Sequence, residues 1–220
     1  MEIIKICLTG SIGSGKSSVS KLFREIGIPV FNSDLCAREA YRIPSIGEGI
    51  ISIIGDDVLT DGKIDRVKFK NILLTNKEVS FKVNQLVIPY IREEFELFCE
   101  EHKRFSNIIA LESAMVFETN CNLEFNYIVS VVADEETRII RTMNRDNISR
   151  EDVMLKINTQ LSDKEKIAKS NFIILNQCVD LIDDELLLKI QIETIKKAIY
   201  SSHLTVSLKH LISSIDHGRN

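Results

Sequence analysis

The sequence predicts an α/β protein: a five-stranded parallel sheet flanked by helices in three layers (α/β/α), with two helical insertions. Five short apolar runs, Ile3–Leu8, Ile28–Phe31, Asn107–Leu111, Tyr127–Val132 and Phe172–Leu175, have the length and composition of buried parallel strands. Helical patterns separate them, and that alternation marks a parallel sheet covered on both faces. Between the first run and the first helix stands Gly10-Ser11-Ile12-Gly13-Ser14-Gly15-Lys16-Ser17, which fits the phosphate-binding pattern G-x-x-x-x-G-K-[ST] at every fixed position.

The first unit is therefore strand, glycine loop, helix. Val19, Leu22, Phe23 and Ile26 recur at helical spacing, and Gly27 follows as a C-terminal stop. The glycines let the backbone fold around a phosphate chain with its N–H groups pointing inward, and the positive end of the helix adds to that field. Lys16 is placed to reach the outer phosphates and the Ser17 hydroxyl to bind Mg²⁺.

Ligands of such sheets bind at the C-terminal ends of the strands. Asp34 lies just past the second strand. It is either a proton acceptor or holder of a Mg²⁺-bound water, or the N-cap of a helix over Leu35–Tyr41. Glu112, just past the third strand, serves either a metal shell or an exposed strand end.

The interval from Leu35 to Ser106 is too long for a simple crossover. Ile50, Ile51, Ile53 and Ile54 begin it, and Asp61-Gly62 makes a turn. Val67, Phe69, Ile72, Leu73 and Leu74 follow, then a helix pattern at Val79, Phe81, Val83, Leu86 and Val87. Pro89 is expected to open one more helix, Tyr90 to His102. This block is a second-substrate site or a packing elaboration. A second insertion separates the last two strands. Ser149-Arg150-Glu151-Asp152 and Ser162-Asp163-Lys164-Glu165 each carry the capping-box pattern of a helix start. Arg138, Arg141 and Arg145 are three and four residues apart, which puts them on one helix face. That face is solvated, or it is a basic lid over a triphosphate. Ile182 to Ile199 reads as an amphipathic helix on the sheet, and residues 201–220 carry no clear pattern.

Composition narrows the class. The 220 residues suffice for one α/β domain with insertions. A net charge of −4 argues against a general nucleic-acid binder. The five cysteines are scattered singly with no C-x-x-C pair, so neither a disulfide framework nor a zinc site is expected. His102, His203, His210 and His217 join no recognisable constellation. Neither a signal peptide nor a run of membrane-spanning length is present, and a reducing cytoplasm is the expected location.

The motifs resemble those of the dephospho-CoA kinase family. Leu8-Thr9-Gly10 through Ser17-Ser18 is similar to the family's L-T-G-G-I-G-S-G-K-S-T. Gly27-Ile28-Pro29-Val30-Phe31-Asn32-Ser33-Asp34-Leu35-Cys36-Ala37-Arg38 resembles its G-x-P-V-x-D-A-D-x-x-A-R. Ile88-Pro89-Tyr90-Ile91-Arg92 is similar to H-P-x-I-R, and Glu112 through Glu118 to D-x-P-L-L-F-E. Arg141 to Asp146 resembles R-x-x-x-R-D, followed by Gln160-Leu161 and Lys164-Glu165-Lys166 before Asn176. The order and spacing hold from about Ile3 to Asn176.

The resemblance implies transfer of the ATP γ-phosphoryl group to the ribose 3′-hydroxyl of 3′-dephospho-CoA, with Mg²⁺. It implies Asp34 as catalytic base, with Lys16, Arg141 and Arg145 as its catalytic partners. ATP would lie on Gly10, Ser11, Ile12, Gly13, Ser14, Gly15, Lys16, Ser17 and Ser18, with Asn176 by the adenine. The acceptor would meet Asp34, Arg38, Arg92 and Glu112. Residues 1–34, 107–137 and 170–200 would form the nucleotide-binding core, 35–106 the CoA-binding insertion and 138–169 the lid. A monomer is expected, with neither nucleic acid nor membrane as partner. Three positions depart from the family: Asn32 replaces the first Asp of D-A-D, Ile88 the His of H-P-x-I-R, and Glu112-Ser113-Ala114 the D-x-P. The alternatives are another kinase of the same fold and, of a different class, a non-catalytic nucleotide switch.

Overall fold

A computed structural model describes residues 3–119, 121, 124–177 and 184–217, the stretch 203–217 as backbone. The chain divides into two compact units, Met1–Gln177 and Cys178–Asn220. The second contributes one described element, the helix Asp184–His217. Of the expected terminal helix, Ile182 and Asp183 lie outside the described residues; the helix itself continues beyond Ile199.

The first unit is built on five parallel strands: β1 (Ile4–Thr9), β2 (Val30–Asn32), β5 (Ile108–Glu112), β6 (Tyr127–Val132) and β7 (Phe172–Leu175). Their order is β2-β5-β1-β6-β7. β1 is central, and Ile4, Ile6, Cys7 and Leu8 are buried, which is why that segment is apolar apart from Lys5. β6 and β7 occupy the residues the sequence predicts. β2 and β5 lie one to two residues further on than expected, so Glu112 closes β5 instead of following it.

α1 (Lys16–Glu25) follows the glycine loop and buries Val19, Leu22 and Phe23. Its end is a Schellman turn: Gly27 adopts φ +81° and donates to Arg24 O, while Ile28 N–H donates to Phe23 O. α2 (Ser33–Ala40) starts directly from β2. α3 (Pro44–Ile54), a short hairpin of β3 (Leu59–Thr60) and β4 (Lys63–Ile64), α4 (Arg66–Thr75) and α5 (Lys77–His102) complete the first insertion. The hairpin turns at Asp61-Gly62, both at positive φ, as that dipeptide predicts.

One expected boundary is absent. The two helices expected on either side of Pro89 are a single helix, α5, with the proline inside it. Pro89 has no N–H to offer the Gln85 carbonyl, a defect of about 3 kcal/mol in an isolated helix. Packing offsets it, since α5 buries side chains on both sides of the proline. Val83 and Val87 join Ala40, Ile46, Ile50, Val58 and Phe69 in a core belonging to the insertion. Phe95 and Cys99 join Cys7, Ile109, Leu111 and Ile128 against the sheet.

Between β6 and β7 come α6 (Glu135–Asp146), α7 (Arg150–Asn158) and α8 (Asp163–Lys169). Ser162 and Glu165 form a complete capping box at α8, whereas at α7 Ser149 caps the backbone of Asp152.

Candidate active site

The glycine loop leaves the central strand and runs into α1, whose N-terminus carries neither a side-chain cap nor an acidic residue in its first turn. Its amide groups and dipole are thus left for an anion. Gly13 and Gly15 adopt φ +77° and +90°. A Cβ at Gly13 would overlap the Arg138 carbonyl, and one at Gly15 the Asn176 side-chain amide. Only glycine allows both that backbone and that approach.

Lys16 folds over the loop, its Nζ donating to Gly10 O at 2.7 Å. Burial pulls its ammonium down to about 8; Lys166 and Arg145 add to the effect, and Asp34 and Glu112 oppose it. The two carboxylates picked out in the sequence therefore both act electrostatically on the loop lysine. Ser17 and Ser18 are exposed at the start of α1.

Asp34 does not cap its helix. Asn32 does, its Oδ1 accepting from Leu35 N–H at 2.9 Å. Asn caps as well as Asp, so the departure at position 32 keeps the helix start. Asp34 is exposed in the first turn of α2, free of that structural duty. Glu112 is not an exposed strand end; it is 6% exposed. Its Oε2 accepts from Ser20 Oγ at 2.8 Å and from Asn32 Nδ2 at 3.3 Å, and its backbone O accepts from Ser33 Oγ at 2.8 Å. Strand register brings these groups together, because Glu112 pairs with Leu8 on one side and Asn32 on the other.

The donor set suits Mg²⁺ bound largely through phosphate. Among the described residues no cluster of three or more His, Cys, Asp or Glu is placed to hold a metal by itself. A hydroxyl at Ser17 with a carboxylate at Glu112 or Asp34 matches the one or two protein ligands that Mg²⁺ takes beside a nucleotide.

The three arginines of α6 have three different surroundings. Arg138 is buried, 4% exposed, and meets Asp163 at 3.0 Å; it is neither solvated nor part of a lid face. Arg141 donates to Asn176 O at 3.2 Å. Arg145 is over half exposed and held by Asp146 at 2.8 Å. Asn176 lies against the loop, its Nδ2 donating to Ser14 O at 2.8 Å.

Further residues clasp the loop from outside. Gln160 Oε1 accepts from Ile12 N–H at 2.9 Å, and Asp163 Oδ1 accepts from Ser11 Oγ at 2.5 Å. Lys166, 1% exposed, instead holds the segment after β5, donating to Ala114 O at 3.0 Å and pairing with Glu118 at 3.4 Å. Sequence spacing gives no sign of these contacts. The one local signal is the capping box at Ser162, which fixes where α8 begins and so where Asp163 and Lys166 point.

A cavity of about 1500 Å³ opens beside Asp34. Asp34 and Arg38 line it from α2, and Ile88, Ile91 and Arg92 from α5. Arg92 is ion-paired with Glu124. Ile88, where the resembled family has histidine, contributes apolar wall. The volume exceeds the roughly 300–1,000 Å³ of ordinary small-molecule sites.

Phosphate loop, central strand and large neighbouring cavity together define a P-loop kinase acting on a small molecule. The family model described as dephospho-CoA kinase matches residues 4–180. The chain is 36% identical over 174 residues to a dephospho-CoA kinase of Bacteroides fragilis, covering 79% of this chain and 84% of that one. It is 36% identical over 177 residues to one of Fusobacterium nucleatum, covering 80% and 91%. A crystal structure of a Thermus thermophilus protein superposes with a TM-score of 0.73 at 27% identity, over 92% of this chain and 98% of that one. The chain belongs to the dephospho-CoA kinase family.

Proposed function

We propose that this enzyme transfers the γ-phosphoryl group of ATP to the ribose 3′-hydroxyl of 3′-dephospho-CoA, giving coenzyme A and ADP, the last step of coenzyme A biosynthesis. The observation that carries this reading is Asp34. It is relieved of capping by Asn32, electrostatically coupled to Lys16, and part of the wall of a cavity large enough for a bulky acceptor. The family and its named relatives support the same substrate.

In this reading the main-chain N–H groups of Gly13, Gly15, Lys16 and Ser17 cradle the phosphates, those of Ile12 and Ser14 being taken by Gln160 Oε1 and Ser11 O, and Lys16 leaves the Gly10 carbonyl to meet them. Asp34 accepts the proton of the 3′-hydroxyl as its oxygen bonds to the γ-phosphorus; the bond to the β–γ bridging oxygen breaks and ADP departs. Arg141 and Arg145 offset charge spreading over the transferred group. Ser17, with the Glu112 carboxylate, would hold Mg²⁺, which would supply charge neutralisation on the phosphates. Residues 35–106 act as acceptor-binding insertion, 138–169 as lid, and the remaining sheet segments as nucleotide core. Arg38 and Arg92 touch the acceptor, and Asn176 borders the adenine. The described cysteines, Cys7, Cys36, Cys99 and Cys121, are all free, which suits a reducing cytoplasm.

The test is ADP release with ATP, Mg²⁺ and dephospho-CoA, run beside a panel of nucleoside monophosphates. Turnover confined to dephospho-CoA is expected. Preference for a monophosphate would assign the site to another kinase of this fold, and hydrolysis indifferent to every acceptor would make the chain a nucleotide switch.

A further inference from the structure

The acceptor cavity has a wall whose charge neither the phosphate loop nor the reaction at Asp34 uses. Lys63 of β4, Arg66 and Lys70 of α4, and Lys77 at the start of α5 all line it. None of the four forms an ion pair or side-chain hydrogen bond among the described residues. Their neighbours do. Arg42 and Arg92, on the same cavity, are held by Glu39 and Glu124. Lys68, on the same helix as Arg66 and Lys70 but absent from the cavity wall, donates to the Leu59 carbonyl at 2.7 Å.

The carboxylates lining the cavity do not offset this charge. Glu39 is engaged by Arg42, Glu118 by Lys166 and Glu124 by Arg92. Asp34, the proton acceptor, is the one left. The arrangement also works against the fold. Arg66 and Lys70 are like charges at i, i+4, which weakens a helix. Lys77 is the first residue of α5, where the helix dipole repels a cation. In a chain of net charge −4, four cations lining one cavity without an ion partner among the described residues are explained by an anion that binds there.

Resting on the reaction proposed above, we infer that Lys63, Arg66, Lys70 and Lys77 form a binding site for the diphosphate of the acceptor. The ligand class is a nucleoside carrying a 5′-diphosphate ester with a long attached arm. Leu73, Leu74 and Phe81 on the same cavity provide apolar surface for that arm. Asp34 acts on the hydroxyl; the basic wall selects acceptors with a diphosphate over those with one phosphate or none. These four residues are specificity determinants and touch no reacting atom.

The test uses the exposed pair Arg66→Gln/Lys70→Gln and the charge-preserving swap Arg66→Lys/Lys70→Arg. In the double glutamine variant KM for dephospho-CoA should rise 10-fold or more, while kcat at saturation and KM for ATP stay within 2-fold. The swap should recover most of the loss, and the variant's kcat/KM should depend less on salt than the wild type's. At saturating ATP and fixed free Mg²⁺, inorganic pyrophosphate should compete with dephospho-CoA in the wild type and about 10-fold more weakly in the glutamine variant. An unchanged KM for dephospho-CoA, an equal rise in KM for ATP, or pyrophosphate competing only against ATP would overturn the inference. Failure of the wild type to turn over dephospho-CoA at all would instead overturn the proposed reaction, and this site with it.

Discussion

Removing one carboxylate, by Asp163→Ala, tests how the phosphate loop is supported. The change leaves Arg138 with its side chain 5% exposed, its 3.0 Å partner gone and only the exposed Glu135 at 3.8 Å remaining, and Nε and Nη1 already without an acceptor. Breaking a buried pair from one side costs about 3–5 kcal/mol. Asp163 retains 21% exposure, so the lower end, about 3 kcal/mol, applies. The Ser11 hydroxyl loses its acceptor as well, which adds about 1 kcal/mol. At about 2–4 °C per kcal/mol for a unit of this size, the expected fall in Tm is about 8–16 °C, read by scanning calorimetry. Removing both charges behaves differently, because an apolar pair of similar volume is often neutral. Arg138→Met/Asp163→Leu should therefore recover most of the lost Tm. A single variant that melts within about 2 °C of wild type, or a double variant as unstable as the single, would refute the buried-pair reasoning.

Asp34→Asn should lower kcat by about 100-fold or more while calorimetric ATP affinity is kept, and near-normal turnover would remove the base assignment. Gly15→Ala forces a side chain onto the Asn176 amide at a left-handed φ, a strain of about 1–3 kcal/mol. ATP binding should weaken about 10-fold or more, and undiminished affinity would show that the loop has room. Asp146 is held well below the ordinary carboxylate range, first by the Arg145 hydrogen bond and then by Lys156. A depressed folded pKa contributes stability above the unfolded value of about 3.9 that is lost as pH falls through the folded one. The Tm gap between wild type and Asp146→Asn should therefore hold steady from neutral pH down to about 5 and narrow below about 4. Melts showing one constant gap down to pH 2 would rule this out.

Local chemistry was legible where one residue type has one use. The glycine loop, the Asp61-Gly62 turn, the Gly27 stop and the apolar runs of β6 and β7 each follow from backbone or burial rules acting over a few residues. Pro89 misleads for a physical reason. Propensity marks a helix boundary there, but side chains buried on both sides of it hold the turn together. Arg138, Arg141 and Arg145 share a helix face by spacing, yet Asp163 draws the first inside and Asp146 holds the third at the surface. The pairing of Asn32 with Glu112 was invisible because register, not sequence proximity, creates it. Asp34 is the instructive case: sequence alone leaves it between cap and base, and the Asn32 side chain decides the cap.

The clasp on the loop has a consequence for biogenesis. Gln160 and Asp163 follow their partners Ile12 and Ser11 by 148 and 152 residues. A ribosome adding roughly 5–20 residues per second spends about 8–30 s between the two. For that whole interval the nascent chain displays every letter of the nucleotide motif while its outer fastenings have yet to be synthesised. The loop's outer support thus belongs to the nearly finished polypeptide, and a truncated product ending before Gln160 carries the signature without either fastening.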